Sequence, residues 1–229
     1  FVSVLIFLRS LPPMHIALLG DSTLDNAPYT KGGPAVVDHL QDRLSEPDRA
    51  TLLAVDGAIT SMVDTQVDQL PDSTTHILLS VGGNDVLKHI ALLGNPASSV
   101  KDGLHMMAES VERFDEAYRA ALGSVLDAGL PTTVCAIYAG DFDDPSMQRV
   151  INVALSMYNN VIVQAAMDHM CPVIDLRRVC TKQTDFTQQI EPSERGGQKI
   201  AAAIYRAYTN RDRCTIPVGH ADRFPLVSD

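Results

Sequence analysis

The sequence predicts a three-layer α/β/α sandwich around a mainly parallel sheet. Three observations carry this. Five short runs rich in Val, Ile, Leu or Thr are each bounded by turn residues. Amphipathic segments of helical period separate several of them. No linker-like, low-complexity or repeated stretch divides the chain. Strands alternating with helices form βα units, whose crossovers cover both faces of a parallel sheet.

The expected strands are Met14–Leu19, Thr51–Val55, His76–Val81, Pro131–Tyr138 and Pro172–Leu176. Between the first two, Pro34–Leu44 places Val36, Val37, Leu40 and Leu44 on one stripe, with Asp38, Gln41 and Asp42 facing away. Leu104–Leu126 repeats the pattern with Val111, Phe114, Ala117, Tyr118, Ala121 and Val125. Gln148–His169 and Glu194–Tyr208 read likewise as helices. One domain is expected over residues 14–229. Residues 1–13 are set aside as an N-terminal extension of unassigned origin, because Met14 follows Pro12-Pro13 and directly precedes a strand. The apolar run Phe1–Leu8 is far shorter than the ~20 residues that span a bilayer and lacks the flanks of a signal peptide, so no stable membrane insertion is expected.

A net charge of −10 and the absence of any basic run exclude the usual nucleic-acid binder, whose phosphate contacts need clustered Lys and Arg. The four cysteines, Cys135, Cys171, Cys180 and Cys214, show no metal-ligand spacing. Cys135 reads as a buried thiol in a strand, while one disulfide among the other three stays open, as does the compartment. Neither composition nor any motif indicates an oligomeric state.

In open parallel sheets, ligands bind beyond the carboxyl ends of the strands. Chemistry is therefore expected near residues 20–33, 56–60, 82–106, 139–147 and 177–193. Gly20-Asp21-Ser22 follows the first strand, where Ser22 can act as a nucleophile, although a simple turn also suits Asp and Ser. Asp56-Gly57 follows the second, and the Gly57 N–H can serve an oxyanion. Gly82-Gly83-Asn84-Asp85 follows the third, and the Asn84 amide supplies a second donor. Three loops thus deliver a serine and two oxyanion donors to one sheet edge.

On these residues the chain resembles the SGNH (GDSL) hydrolase superfamily over about residues 14–208. Gly20-Asp21-Ser22 is similar to the first block of that family, Gly57 to the glycine of the second, with Asp56 where Asn is usual. Gly82-Gly83-Asn84-Asp85 carries the whole third block. Asn152 to Leu176 is similar to the late helix and last strand. The resemblance implies a five-stranded flavodoxin-like sheet and metal-free ester hydrolysis. It also implies an oxyanion bound by the Ser22 and Gly57 amides and the Asn84 side chain.

The last block departs from the family. Where Asp-x-x-His-Pro is usual, this chain has Gln188-Gln189-Ile190-Glu191-Pro192, so Glu191 stands in the histidine position and Gln188 in the aspartate position. Three arrangements meet this break. Glu191 is itself the base, raised by partial burial from an ordinary pKa near 4.3 and held by Gln188. A histidine from the loop after the third strand, His89 or His105, replaces it. Or the domain binds an acyl or acetylated-sugar ligand without turnover. His15 and His76 lie at the wrong end of their strands, His39 and His169 belong to helices, and His220 lies in the tail. Asp141, Asp143 and Asp144 find no further metal ligands. The expected protein is a cofactor-free, metal-free serine esterase acting on a small ester through Ser22, Gly57, Asn84 and Glu191.

Overall fold

The computed structural model describes residues 12–209 and the backbone of residues 215–216. Residues 1–11 of the expected extension, Cys214 and His220 lie outside the described residues. In chain order the elements are β1 (His15–Gly20), α1 (Val36–Gln41), β2 (Arg49–Leu52), α2 (Val63–Val67), β3 (His76–Ser80) and α3 (Gly83–Lys88). They continue as α4 (Val100–Asp127), β4 (Thr132–Ala136), α5 (Pro145–Asp168) and β5 (Val173–Asp175). A small hairpin of β6 (Phe186–Thr187) and β7 (Glu191–Pro192), then α6 (Glu194–Thr209) and β8 (Thr215–Ile216), complete the order.

The five expected strands pair in parallel in the order β2-β1-β3-β4-β5. The two-residue β8 adds an antiparallel edge beside β5, which the sequence did not predict. β1 is buried along its whole length, as expected of a strand covered on both faces. Its side chains alternate. Ala17 and Leu19 join a core with Ile77, Leu79, Phe114, Tyr118, Leu122, Tyr158 and Ile162, which belongs to α4 and α5. Ile16 and Leu18 join the opposite core with Leu78, Val36, Leu40, Ile200 and Ile204, which belongs to α1 and α6.

Both long helices are held by capping side chains. Ser99 accepts from the Asp102 N–H at the start of α4, and Asp144 accepts from the Ser146 N–H before Pro145 in α5. By length and composition α5 could cross a membrane, at a mean hydropathy of 1.3. Its Leu155, Tyr158, Ile162, Ala165 and Ala166 are instead buried in this fold.

The strand order reverses between β1 and β3. The connection leaving β1 runs to the α1 face and that leaving β3 runs to the α4 face, so a crevice opens beyond their carboxyl ends. Two expectations are corrected here. Residues 83–94, expected as loop, fold as α3 and a 3₁₀ turn at Ile90–Gly94. The first helix is shorter than Pro34–Leu44, because Asn26 and Asp38 fix its start at Val36 and the chain turns after Gln41.

Candidate active site

β1 ends on Gly20, whose φ is +134°. A Cβ there would sit 1.8 Å from the Ser80 carbonyl oxygen, so only glycine lets β1 lie this close to the end of β3. Buried Gln66 of α2 grips the same residue. The Gly20 N–H donates to Gln66 Oε1 at 2.7 Å, and Gln66 Nε2 donates to the Gly20 carbonyl at 2.9 Å. The Asp21 N–H donates to the Ser80 carbonyl at 3.0 Å, and the chain then closes a turn as Leu24 and Asp25 donate to the Asp21 carbonyl. Ser22 rides on that turn and is 8% exposed.

The second and third loops are tied to each other. Asn84 Nδ2 donates to the Ala58 carbonyl at 2.9 Å, which occupies one of its two amide hydrogens and leaves the other for a ligand. Asp85 accepts from the Thr60 N–H at 3.0 Å and from the Thr60 hydroxyl at 2.7 Å. Gly57 directly precedes these anchors, exposed, at φ +78°, with nothing within 4 Å of a would-be Cβ. Asp56 accepts from the Tyr29 hydroxyl at 2.9 Å, and its N–H donates to Asp25.

Glu191 enters from the far end of the chain. It sits in the β6–β7 hairpin, facing Thr187 in register. Gln188 and Gln189 make the turn with φ of +52° and +70°, a left-handed pair unusual for residues other than glycine. Gln188 is exposed at this turn and does not line the cavity that Glu191 lines, so the expected clamp from Gln188 onto Glu191 is not formed. Gln189 instead donates to Asp143 at 2.8 Å, and its carbonyl accepts from the Asp141 N–H at 2.7 Å. Two of the three acidic residues are thereby engaged by the hairpin, and Asp144 caps α5. Among the described residues no group of three or more His, Cys, Asp or Glu converges to hold a metal ion.

Buried Asn26 joins the Ser22 loop to the Glu191 segment. Its Nδ2 donates to the Pro192 carbonyl at 3.1 Å and to the Ser193 carbonyl at 3.4 Å, and its Oδ1 accepts from the Val36 N–H at 2.8 Å. Ser22, Asn84 and Glu191 line one cavity of about 110 Å³, with Asp21, Thr23 and His89. Gly57 is not part of that lining. His105 does not line it and is exposed on α4, with Glu109 at 3.9 Å. His15 and His76 sit at the opening ends of β1 and β3.

Two carboxyls in this site are displaced from their ordinary range. Burial raises Glu191, the nearby charge of Asp56 adds to the rise, and hydrogen bonding from the Ser22 side chain opposes it. Its Oε2 is buried without a hydrogen-bond partner. Burial pushes Asp21 up to about 6, with Thr23 opposing and the charges of Glu191 and Asp85 reinforcing. Cys135 is a free buried thiol, pushed up to about 12 by burial and therefore poorly reactive. Cys171 and Cys180 are also free and buried, so no disulfide joins them.

Gln66 and Asn26 were missed by the sequence reading. A buried Gln in a five-residue helix and an Asn whose partner lies 166 residues away leave no local pattern.

Residues 18–199 match the GDSL-like lipase/acylhydrolase family. No curated protein matches the chain. Among solved structures, a lipolytic G-D-S-L family protein from Veillonella parvula DSM 2008 superposes with a TM-score of 0.65 at 18% identity, covering 86% of this chain and 99% of its own. Phospholipase A1 from Streptomyces albidoflavus NA297 gives 0.63 at 18%, covering 84% and 98%. The extracellular lipase of Streptomyces rimosus gives 0.62 at 17%, covering 85% and 99%. At these identities the structures show a shared fold.

Proposed function

The chain belongs to the GDSL-like lipase/acylhydrolase family and is by that membership a hydrolase of ester substrates; we propose that it cleaves carboxylic esters through Ser22, with Glu191 as the base. The observation that carries this reading is that Ser22, Asn84 and Glu191 line one cavity, with the Ser22 side chain near enough to the Glu191 carboxyl to oppose its rise.

The chemistry follows from those positions. The Ser22 hydroxyl attacks the ester carbonyl carbon and its proton passes to the Glu191 carboxylate. The oxyanion formed is met by the Ser22 and Gly57 N–H groups and by the free hydrogen of Asn84 Nδ2. Collapse of the tetrahedral species breaks the bond to the alcohol, which leaves with the proton from Glu191. Water then gives a proton to Glu191, attacks the acyl-serine and releases the acid, and the proton returns to Ser22. An ordinary carboxylate is a weak base for a serine hydroxyl. Burial, the unpartnered Oε2 and the Asp56 charge all make Glu191 a stronger one.

One observation favours a second reading. His89 lines the same cavity, and a histidine base would leave Glu191 with a positioning role. A fluorophosphonate that reacts only with an activated serine tests the nucleophile. One adduct mapping to Ser22, lost in Ser22→Ala and strongly slowed in Glu191→Gln, is the expected result. Labelling that persists in Glu191→Gln and disappears in His89→Ala moves the base to His89. No labelling at all points to ligand binding without turnover.

A further inference from the structure

We infer that the cavity beside Ser22 holds the acyl limb of the ester, and that its preferred acyl chain is of medium length, about four to six carbons, rather than acetyl. The inference rests on the Ser22 esterase reading and narrows its substrate.

The reacting groups occupy only one part of the cavity wall. The remainder is mostly apolar, supplied by α3 and the turn after it (Leu87, Ile90), α4 (Met107) and α5 (Ile151, Leu155, Tyr158). Among the described residues no Lys or Arg lines it, so an anionic limb would find no basic side chain there. Beyond the reacting set its polar groups are His89 and the hydroxyls of Thr23, Tyr138 and Tyr158, the last already bonded to Ser110, fewer than the several hydroxyls of a sugar would need.

Exposure gives the cavity a direction. Ile90 at its mouth is 41% exposed, Leu155 is 6% exposed and Tyr158 is 2% exposed. Tyr158 forms the floor. Its hydroxyl is satisfied by Ser110 at 2.8 Å and its ring is packed edge-on against Phe114, so the floor is fixed and presents carbon rather than a free polar group.

A floor that is closed decides which limb enters. An alcohol seated there would be trapped behind the acyl-enzyme, because the Ser22 ester would block its exit. An acyl chain remains bonded to Ser22 until water releases it, and its alcohol leaves over exposed Gly57. Volume sets the length. A cavity of roughly 150 Å³ accepts the six carbons of benzene, so 110 Å³ here fits roughly four carbons by the same measure. Beyond the mouth, Met147 and Val150 continue the α5 stripe of Ile151 and Ala154 as exposed apolar residues. Longer chains can lie over them, but without the burial that adds affinity.

The test is hydrolysis of one aryl alcohol esterified with acetate, butyrate, hexanoate and decanoate. The expected kcat/KM rises by roughly fourfold per methylene at first, about 15-fold from acetate to butyrate, and flattens beyond hexanoate. Lengthening the alcohol of an acetate ester has little effect. Ala154→Phe, and Ile151→Phe as a second variant, turn the preference toward acetate at an unchanged melting temperature. Acetate turned over as fast as hexanoate, or a dependence on alcohol rather than acyl length, overturns the inference. If no ester is turned over, the esterase reading fails separately. The cavity is then read in Ser22→Ala by melting temperature, where stabilisation by hexanamide but not acetamide supports the inference and equal effects overturn it.

Discussion

Asn26 donates from its buried side-chain amide to the carbonyl of Pro192 at 3.1 Å, and so fixes the Ser22 loop against the segment that carries Glu191. The bond joins residues 166 apart in the chain and involves none of the groups proposed to react. Its Oδ1 meanwhile holds the first N–H of α1. Replacing Asn26 by Ala strands the Pro192 carbonyl and the Val36 N–H, while the Ser193 carbonyl keeps its bond from the Gly197 N–H; each buried group so stranded costs about 1–3 kcal/mol. Asn26→Ala is expected to lose about 3 kcal/mol in urea unfolding and roughly tenfold or more in kcat, with a smaller change in KM. Wild-type kcat in a destabilised variant would show that Asn26 serves folding alone.

Gly20 is the backbone counterpart. Its substituent would occupy the space of the Ser80 carbonyl, and its φ of +134° suits no L side chain. Gly20→Ala should cost more than about 4 kcal/mol or prevent folding. Gly123 in α4 has nothing within 4 Å of its would-be Cβ. Gly123→Ala should gain about 1 kcal/mol. Equal melting temperatures for the two variants would contradict this account of the β1–β3 junction.

The raised pKa of Asp21 has a consequence for stability. In the unfolded chain it ionises near 3.8, and in the folded protein near 6. Between those values the folded state holds the extra proton, so stability declines as pH rises from about 4 to about 6. Asp21→Asn keeps the acceptor for the Thr23 N–H and removes the buried charge. It should match wild type below pH 4 and gain about 3 kcal/mol above pH 6. Glu191→Gln should show a gain of the same sign. Denaturant titrations across pH check both, and a loss at pH 7 in either variant would reverse the reading.

Asn84 is held by Ala58 through one amide hydrogen, which leaves the second for the oxyanion. Asn84→Ala is expected to lower kcat by about 10²–10³-fold. A rise in KM alone would place Asn84 in ground-state binding instead.

The centre of the sheet was legible because β1, β3 and β4 are buried on both faces, and β1 reads as an unbroken apolar run from Ile16 to Leu19. The edge strand β2 is part-exposed and lies at Arg49–Leu52 rather than at the expected Thr51–Val55. The long helices were legible because Phe114, Tyr118, Ala121 and Val125 repeat at helical spacing over many turns. α2 and α3 have five and six residues, too few for a period to emerge. Ser22 and Asn84 could be placed because each directly follows a strand, and strand ends fix position in a parallel sheet. Gly57 also follows a strand, yet it does not line the cavity. The cavity could not be foreseen, since Ile90, Met107 and Tyr158 meet only after α3, α4 and α5 have packed. Gln188 was misplaced for a related reason: left-handed geometry at the hairpin turn points it outward, which spacing alone does not reveal.

The central claim is that Glu191 takes the Ser22 proton. The direct measurement is kcat/KM against pH for hexanoate ester hydrolysis by wild type, Glu191→Gln and Glu191→Asp. Burial raises the Glu191 pKa, so wild-type activity should fall on the acid side as that carboxylate is protonated, at a pH above the ordinary range near 4.5. Glu191→Gln should lose about 10²–10⁴-fold at every pH, and Glu191→Asp should keep part of the rate with a shifted acid limb. A Glu191→Gln enzyme that retains the wild-type rate and the wild-type acid limb would contradict the account.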